Sequence, residues 1–99
     1  MASVLVVRDE ARRELLEARD YYDEQRRGYG VLFVDAVERE FELLLQFDKI
    51  GKSVGGDVRR RTLRDWPYGI FYRLRGDELI IIAVAHHRRR PGYWRSRLR

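Results

Sequence analysis

Residues 59–94, RRRTLRDWPYGIFYRLRGDELIIIAVAHHRRRPGYW, hold the reading that decides the fold. Within them, residues 68–75 alternate, with Ile70, Tyr72 and Leu74 on one face and Phe71, Arg73 and Arg75 on the other. That is the two-residue period of a half-buried strand, and it assigns Tyr72 to the core. Residues 79–87 are the most apolar run and predict a central strand. Between the two, Gly76 and Asp77 supply the positive φ that a tight hairpin needs. Upstream, residues 58–64 alternate imperfectly, with Val58, Arg60, Thr62 and Arg64 on one side and Arg59, Arg61 and Leu63 on the other. They read as a strand near a sheet edge that presents arginine to a surface. Asp65, Trp66 and Pro67 break it, and the aromatics at this point predict a packed turn rather than a base-stacking platform. From His86 onward the chain carries six arginines and no acid, so core and basic surface are built from one stretch.

Working outward, the N-terminal half predicts helices. VLVV at residues 4–7 is a β-branched run that reads as a first strand, buried on at least one face. Asp9 is a candidate N-cap, and Ala11, Leu15, Ala18 and Tyr22 then follow at helical spacing. Glu10, Glu14, Glu17, Arg13 and Asp20 fall on the opposite face. Gly28 and Gly30 allow the left-handed residue that closes this helix. A second helix is expected over residues 31–47, where Val34, Val37, Phe41 and Leu44 keep the spacing and Phe33 and Leu45 widen the stripe. Its acidic residues Asp35, Glu38, Glu40 and Glu42 read as a solvated face and not a metal site, since no histidine accompanies them. Residues 48–57 read as one long basic loop. GKSVGG within it lacks the strand, glycine spacing and following helix of a phosphate-binding P-loop.

Ninety-nine residues make one domain, 1–99, with a single core and a shallow functional surface. The absence of cysteine excludes disulfides and Cys-ligated metal. The first residues lack a basic leader region, and the longest apolar run, 79–85, is far below a membrane span. A cytoplasmic protein with no membrane partner is the expectation. Charge divides the chain. Residues 1–48 carry seven arginines and twelve acids (7 − 12 = −5), and residues 49–99 carry fourteen Lys or Arg and four acids (14 − 4 = +10). Such asymmetry points to a phosphate-bearing or acidic partner held in a salt-dependent way.

The order strand, helix, helix and three antiparallel strands, with LRDWPYGIFYRL ahead of the hairpin and AVAHHRRRPGYW after it, resembles the RelE/ParE superfamily of toxins from bacterial type II toxin–antitoxin pairs. The likeness spans nearly the whole chain, from VVRDEARRELLEARDYY to the tail. It implies an α+β fold, a helical hairpin packed on a small twisted antiparallel sheet in the order β-α-α-β-β-β. It also implies a cognate antitoxin as partner. RelE-like members cut mRNA in the ribosomal decoding site, whereas ParE-like members inhibit DNA gyrase by protein contact, so ribosome with mRNA and gyrase are the two targets implied. A basic binding module that has lost activity is a third reading.

Cleavage by a 2′-hydroxyl needs a proton acceptor, a cation for the developing phosphorane charge and an acid for the leaving oxygen, with no metal or other cofactor required. Carried over position by position, the RelE-like pattern falls on Arg64, on Arg88 or Arg89, and on Tyr93. The arginines would hold phosphate charge and Tyr93 would stack on or activate a nucleotide. His86 or His87 could supply acid or base; strand neighbours face opposite ways, and His86 is preferred. Lys49, Lys52, Arg59, Arg60, Arg61 and Arg90 complete the expected nucleic-acid surface. The RelE-like loop lysines lie nearer the following strand than Lys49 and Lys52 do, and Arg59, Arg60 and Arg61 occupy that place instead. Tyr93 and Trp94 also admit a purely structural role, pinning the tail to the sheet.

Overall fold

The computed structural model describes residues 2–98. The chain runs through β1 (Val4–Val7), α1 (Asp9–Gln25), α2 (Tyr29–Gln46), β2 (Lys52–Gly55), β3 (Val58–Thr62), β4 (Tyr68–Arg75), β5 (Glu78–His86) and a closing 3-10 helix (Tyr93–Leu98). The expected α+β fold forms, with the helical hairpin packed on one sheet. Strand order is β1-β5-β4-β3-β2, antiparallel from β2 to β5, with β1 added parallel to β5. No tight turn joins β1 to β5, so nothing local imposes an antiparallel direction on that pair.

Several local expectations change. The long loop at 48–57 contains a short strand, because Lys52 and Ser53 pair with Arg60 and Arg59 across a tight turn. Gly55 and Gly56 both take positive φ there, which a β-branched or charged residue would resist. The middle of the sheet is β4; β5 is flanked by β1 only from Glu78 to Ile81. Among the described residues its remaining edge, from Ile82 onward, has no neighbouring strand. In β1 only Val6 and Val7 are half-buried, while Val4 and Leu5 are exposed.

Arg8, not Asp9, is the N-cap of α1, and Asp9 with Glu10 occupies the first turn, where negative charge suits the helix dipole. Gly28 takes φ 92° as the N-cap of α2 rather than closing α1. Gly30 lies inside α2, and its role is contact: a Cβ there would sit 2.5 Å from the Arg19 carbonyl oxygen. In the hairpin turn Gly76 alone takes positive φ, and the non-glycine residue that does so is Asp65, at 70°.

The sheet separates two apolar clusters. Between sheet and helices lie Ala11, Ala18, Phe33, Val37, Phe41, Leu44, Ile70, Tyr72, Leu79 and Ile81. Tyr72 is fully buried, and its hydroxyl accepts the Gly51 backbone N–H at 2.9 Å. Trp66 packs its ring against Tyr22 and Phe33, with centroids 4.8 and 5.2 Å away, which makes the β3–β4 connection a packed turn. On the other face Val58, Ile82 and Ala83 are covered by Trp94 of the 3-10 helix, whose ring meets Phe71 at 5.2 Å. Among the described residues no helix is long and apolar enough to cross a membrane.

Candidate functional site

The tail reaches its place through one carboxylate. Glu14 points from α1 at the unflanked edge of β5, where its Oε1 accepts the Val84 backbone N–H at 3.1 Å. Arg97 grips the same carboxylate with two N–H donors, 2.8 and 3.1 Å, and donates to the Ile82 carbonyl at 3.1 Å. Two side chains thereby satisfy the backbone groups that a longer β1 would have paired. Tyr93 adds its hydroxyl, which donates to Glu14 Oε2 at 2.6 Å. The Arg89 guanidinium lies 3.9 Å above the Tyr93 ring centre, and that of Arg97 lies 4.9 Å from it. Burial, then the hydrogen bond to Glu14, pushes the Tyr93 hydroxyl far above the ordinary tyrosine range. The bond to Glu14 likewise raises Arg97, a guanidinium that is charged at any ordinary pH.

Glu14 is a residue that the sequence reading placed on the face opposite the apolar stripe of α1. Its side chain is only 12% exposed. A second spacing was present: Ala11, Glu14 and Ala18 also repeat at three and four residues, between two small buried side chains. A carboxylate on that line has room to reach the sheet. No local pattern announces that an unpaired strand edge waits there.

The expected site residues fall into separate places. Arg64 lines a groove of about 850 Å³ between α2 and the β3–β4 turn, together with Leu32, Ala36, Leu43 and Trp66. His86, Arg89 and Tyr93 line a different pocket, of about 180 Å³, on the tail side of the sheet, with Arg60, His87 and Arg90. Arg88 lines neither; its backbone N–H donates to His86 Nδ1 at 3.0 Å, so that a neutral ring carries its hydrogen on Nε2. The His86 ring stands edge-on to Tyr68 at 5.2 Å.

The remaining cations divide by the face they occupy. Arg61 is engaged with Glu40 at 2.6 Å, and this pair turns part of the acidic face of α2 inward. Arg59 donates to the carbonyls of Lys49 and Gly51 at 3.3 and 2.8 Å, bracing the loop before β2. The Lys49 and Lys52 side chains are exposed at the far edge of the sheet. Arg60 lies flat on β4, because Gly69 has no side chain beneath it; a Cβ there would be 3.4 Å from the arginine's methylenes.

A helical hairpin lies on a mixed sheet, with an apolar groove on one side and an arginine pocket on the other, in a small basic α+β fold. Residues 5–91 match the family described as the ParE toxin of the type II toxin–antitoxin system parDE. The chain belongs to that family: it is the toxin component of a type II pair, and a cognate antitoxin is its partner. A solved structure described as the chromosomal ParDE toxin–antitoxin system from P. aeruginosa superposes with a TM-score of 0.75 at 22% identity, covering 84% of this chain and 94% of that one. At that identity the likeness speaks for the fold. No curated protein matches the chain.

Proposed function

We propose that this toxin arrests growth by a protein contact that disables DNA gyrase. One observation carries the reading: Arg64, the arginine expected to act with the others on RNA, lies apart from them. Arg64 lies in the α2 groove, whereas His86, Arg89 and Tyr93 line the pocket on the tail side. The Tyr93 hydroxyl is held by Glu14 and kept protonated, which makes it a poor proton acceptor at neutral pH. A cleavage site needs its groups within hydrogen-bond reach of one phosphate. Membership of the ParE family supports the same choice.

A second reading, ribosome-dependent mRNA cleavage, is favoured by Arg60, His86 and Arg89 sharing one pocket. Two assays separate them: supercoiling by purified gyrase with added toxin, and primer extension on a defined mRNA in a purified translation system. Lost supercoiling with intact message is the expected result. Ribosome-dependent cuts that vanish in Arg64→Ala, with supercoiling untouched, would establish the endonuclease instead. No effect in either assay would leave the inactive binding module.

The antitoxin is proposed to occupy the α2 groove with an amphipathic segment. Tyr29, Leu32, Ala36 and Leu43 form a stripe on α2 that no element among the described residues covers, and Leu32 is 51% exposed. Arg39 and Arg64 stand at its margin, and acidic side chains on the segment would complement them.

A further inference from the structure

The sheet ends in two edges of unlike character. The edge on β2 carries an exposed Lys52 and is interrupted by a register shift between Ser53 and Gly55, both devices that discourage a further strand. β1 has neither. Val4–Val7 is uncharged, pairs with β5 without a register shift, and among the described residues has no neighbouring strand on its outer side. Val4 and Leu5 are 43% and 38% exposed. The hydrogen bonds of β1 define which backbone groups are free there. Val4 and Arg8 donate their N–H groups to the carbonyls of Asp77 and Ile81, both at 3.1 Å. Alternation along the strand therefore turns the backbone N–H and C=O of Leu5 and Val7 outward.

From this edge we infer that two copies of the toxin pair through β1, antiparallel about a twofold axis, and so join their sheets. The surface is separate from the α2 groove, and the pairing is independent of the gyrase contact proposed above. Free backbone groups on one copy must face free groups on the other, which admits Leu5 opposite Val7 and excludes a slip by one residue. Pairing Leu5 with itself would set Val7 against Ser3, whose N–H is already given to Asp77 at 2.9 Å. Pairing Val7 with itself would set Leu5 against Asp9, which is helical. With Leu5 opposite Val7, each such pair exchanges its N–H···O bonds and Val6 meets Val6 on the axis. Charge agrees with this register. Arg8 of one copy falls opposite Val4 of the other, and Val4 is aligned with Glu78 of β5. Arg8 and Glu78 thereby share one row on the tail side of the sheet, and the axis makes the contact twice. Among the described residues Glu78 has no ion pair, and Arg8 has only Glu10, at 3.7 Å on the surface. So short an edge buries less than a permanent interface does, and a reversible dimer with a Kd of about 10–100 μM is expected.

The chain has no cysteine, so a single introduced thiol can form a disulfide only between copies. Val6→Cys places two thiols across the axis, where opposed residues of a non-hydrogen-bonded pair stand about 4.5 Å apart at Cα, within disulfide range. Air oxidation of the full-length toxin, read by non-reducing electrophoresis, should convert Val6→Cys to covalent dimer about tenfold faster than Leu5→Cys or Ser53→Cys, the last on the opposite edge. Equal rates for the three would reduce the reaction to collision and overturn the inference. Sedimentation velocity on the cysteine-free parent should show a concentration-dependent dimer. Val4→Lys sets an ammonium beside Arg8 of the other copy and should weaken that dimer about tenfold, since the axis doubles the repulsion. Val4→Glu offers Arg8 a carboxylate and should weaken it less. Val4 is exposed, so both variants should keep the unfolding temperature of the parent, which is checked by circular dichroism. A parent that stays monomeric up to about 1 mM would overturn the inference. So would a dimer that Val4→Lys and Val4→Glu leave equally intact.

Discussion

Glu14 joins three parts of the chain that are far apart in sequence: α1, β5 and the C-terminal tail. Replacing it with alanine strips the Arg97 guanidinium of its carboxylate partner and leaves the Val84 N–H without its acceptor, both in a place that water hardly reaches. Breaking a buried pair from one side is costly, and Glu14→Ala should lose about 3 kcal/mol in urea unfolding. Glu14→Gln should lose less, since an amide oxygen can still accept one bond. Tyr93 makes a pH-dependent contribution whose sign follows from its raised pKa. The folded state holds the phenolic proton more tightly than the unfolded chain does. That stability is therefore complete below about pH 10 and declines as pH rises above it. Measured between about pH 9 and 11, the parent should lose stability more steeply than Tyr93→Phe. Some slope will remain in the variant, because burial raises Tyr22, Tyr68 and Tyr72 as well.

Helix α2 shows how packing overrides propensity. On propensity alone, Gly30→Ala should stabilise a helix by about 1 kcal/mol. Here the new Cβ would lie 2.5 Å from the Arg19 carbonyl and 2.8 Å from the Asp23 carboxylate, which accepts the Gly30 N–H. A backbone oxygen on a packed helix cannot step aside cheaply, so net destabilisation of about 2 kcal/mol is expected in the same unfolding assay. Strand β5 shows a related effect at its edge. Its apolar sequence reads as central, yet half of its outer edge lacks a strand, and a carboxylate and a guanidinium take the strand's part. Strand β2 was illegible for the opposite reason. KSVG has almost no side-chain signal, and it is a strand because β3 pairs with it and two glycines make the turn.

For the molecule as a whole, the charge asymmetry of the two halves does not map simply onto two faces. Part of the positive half is spent on ion pairs with the negative half, through Arg61 with Glu40 and Arg97 with Glu14. Part of what remains is arginine at the α2 groove and in the tail pocket. If acidic side chains of the antitoxin meet the groove's rim, the complex should weaken about tenfold between about 0.05 and 0.5 M salt, as read by titration calorimetry. Leu32→Asp, in the centre of the apolar stripe, should weaken it by a similar factor at every salt concentration. A complex indifferent to both would place the antitoxin on another face.

Periodicity was enough for both helices, for β3 to β5 and for the inward positions of Tyr72, Phe33 and Leu44. Each of these is decided by which side chains must leave water, and alternation or a 3.6-residue repeat records that choice locally. The superfamily likeness was legible too, in PYGIFY and in the histidine, arginine and aromatic tail. Which candidate residues share a pocket was not legible, because Arg64 and Arg89 lie in turns after β3 and β5, whose relative placement depends on sheet order. Nor was the burial of Glu14, which exists only because β1 stops at Val7 and the tail folds back over β5. Local sequence records the preference of a side chain for water or core; the partner that lets a charge enter the core arrives only with the tertiary fold.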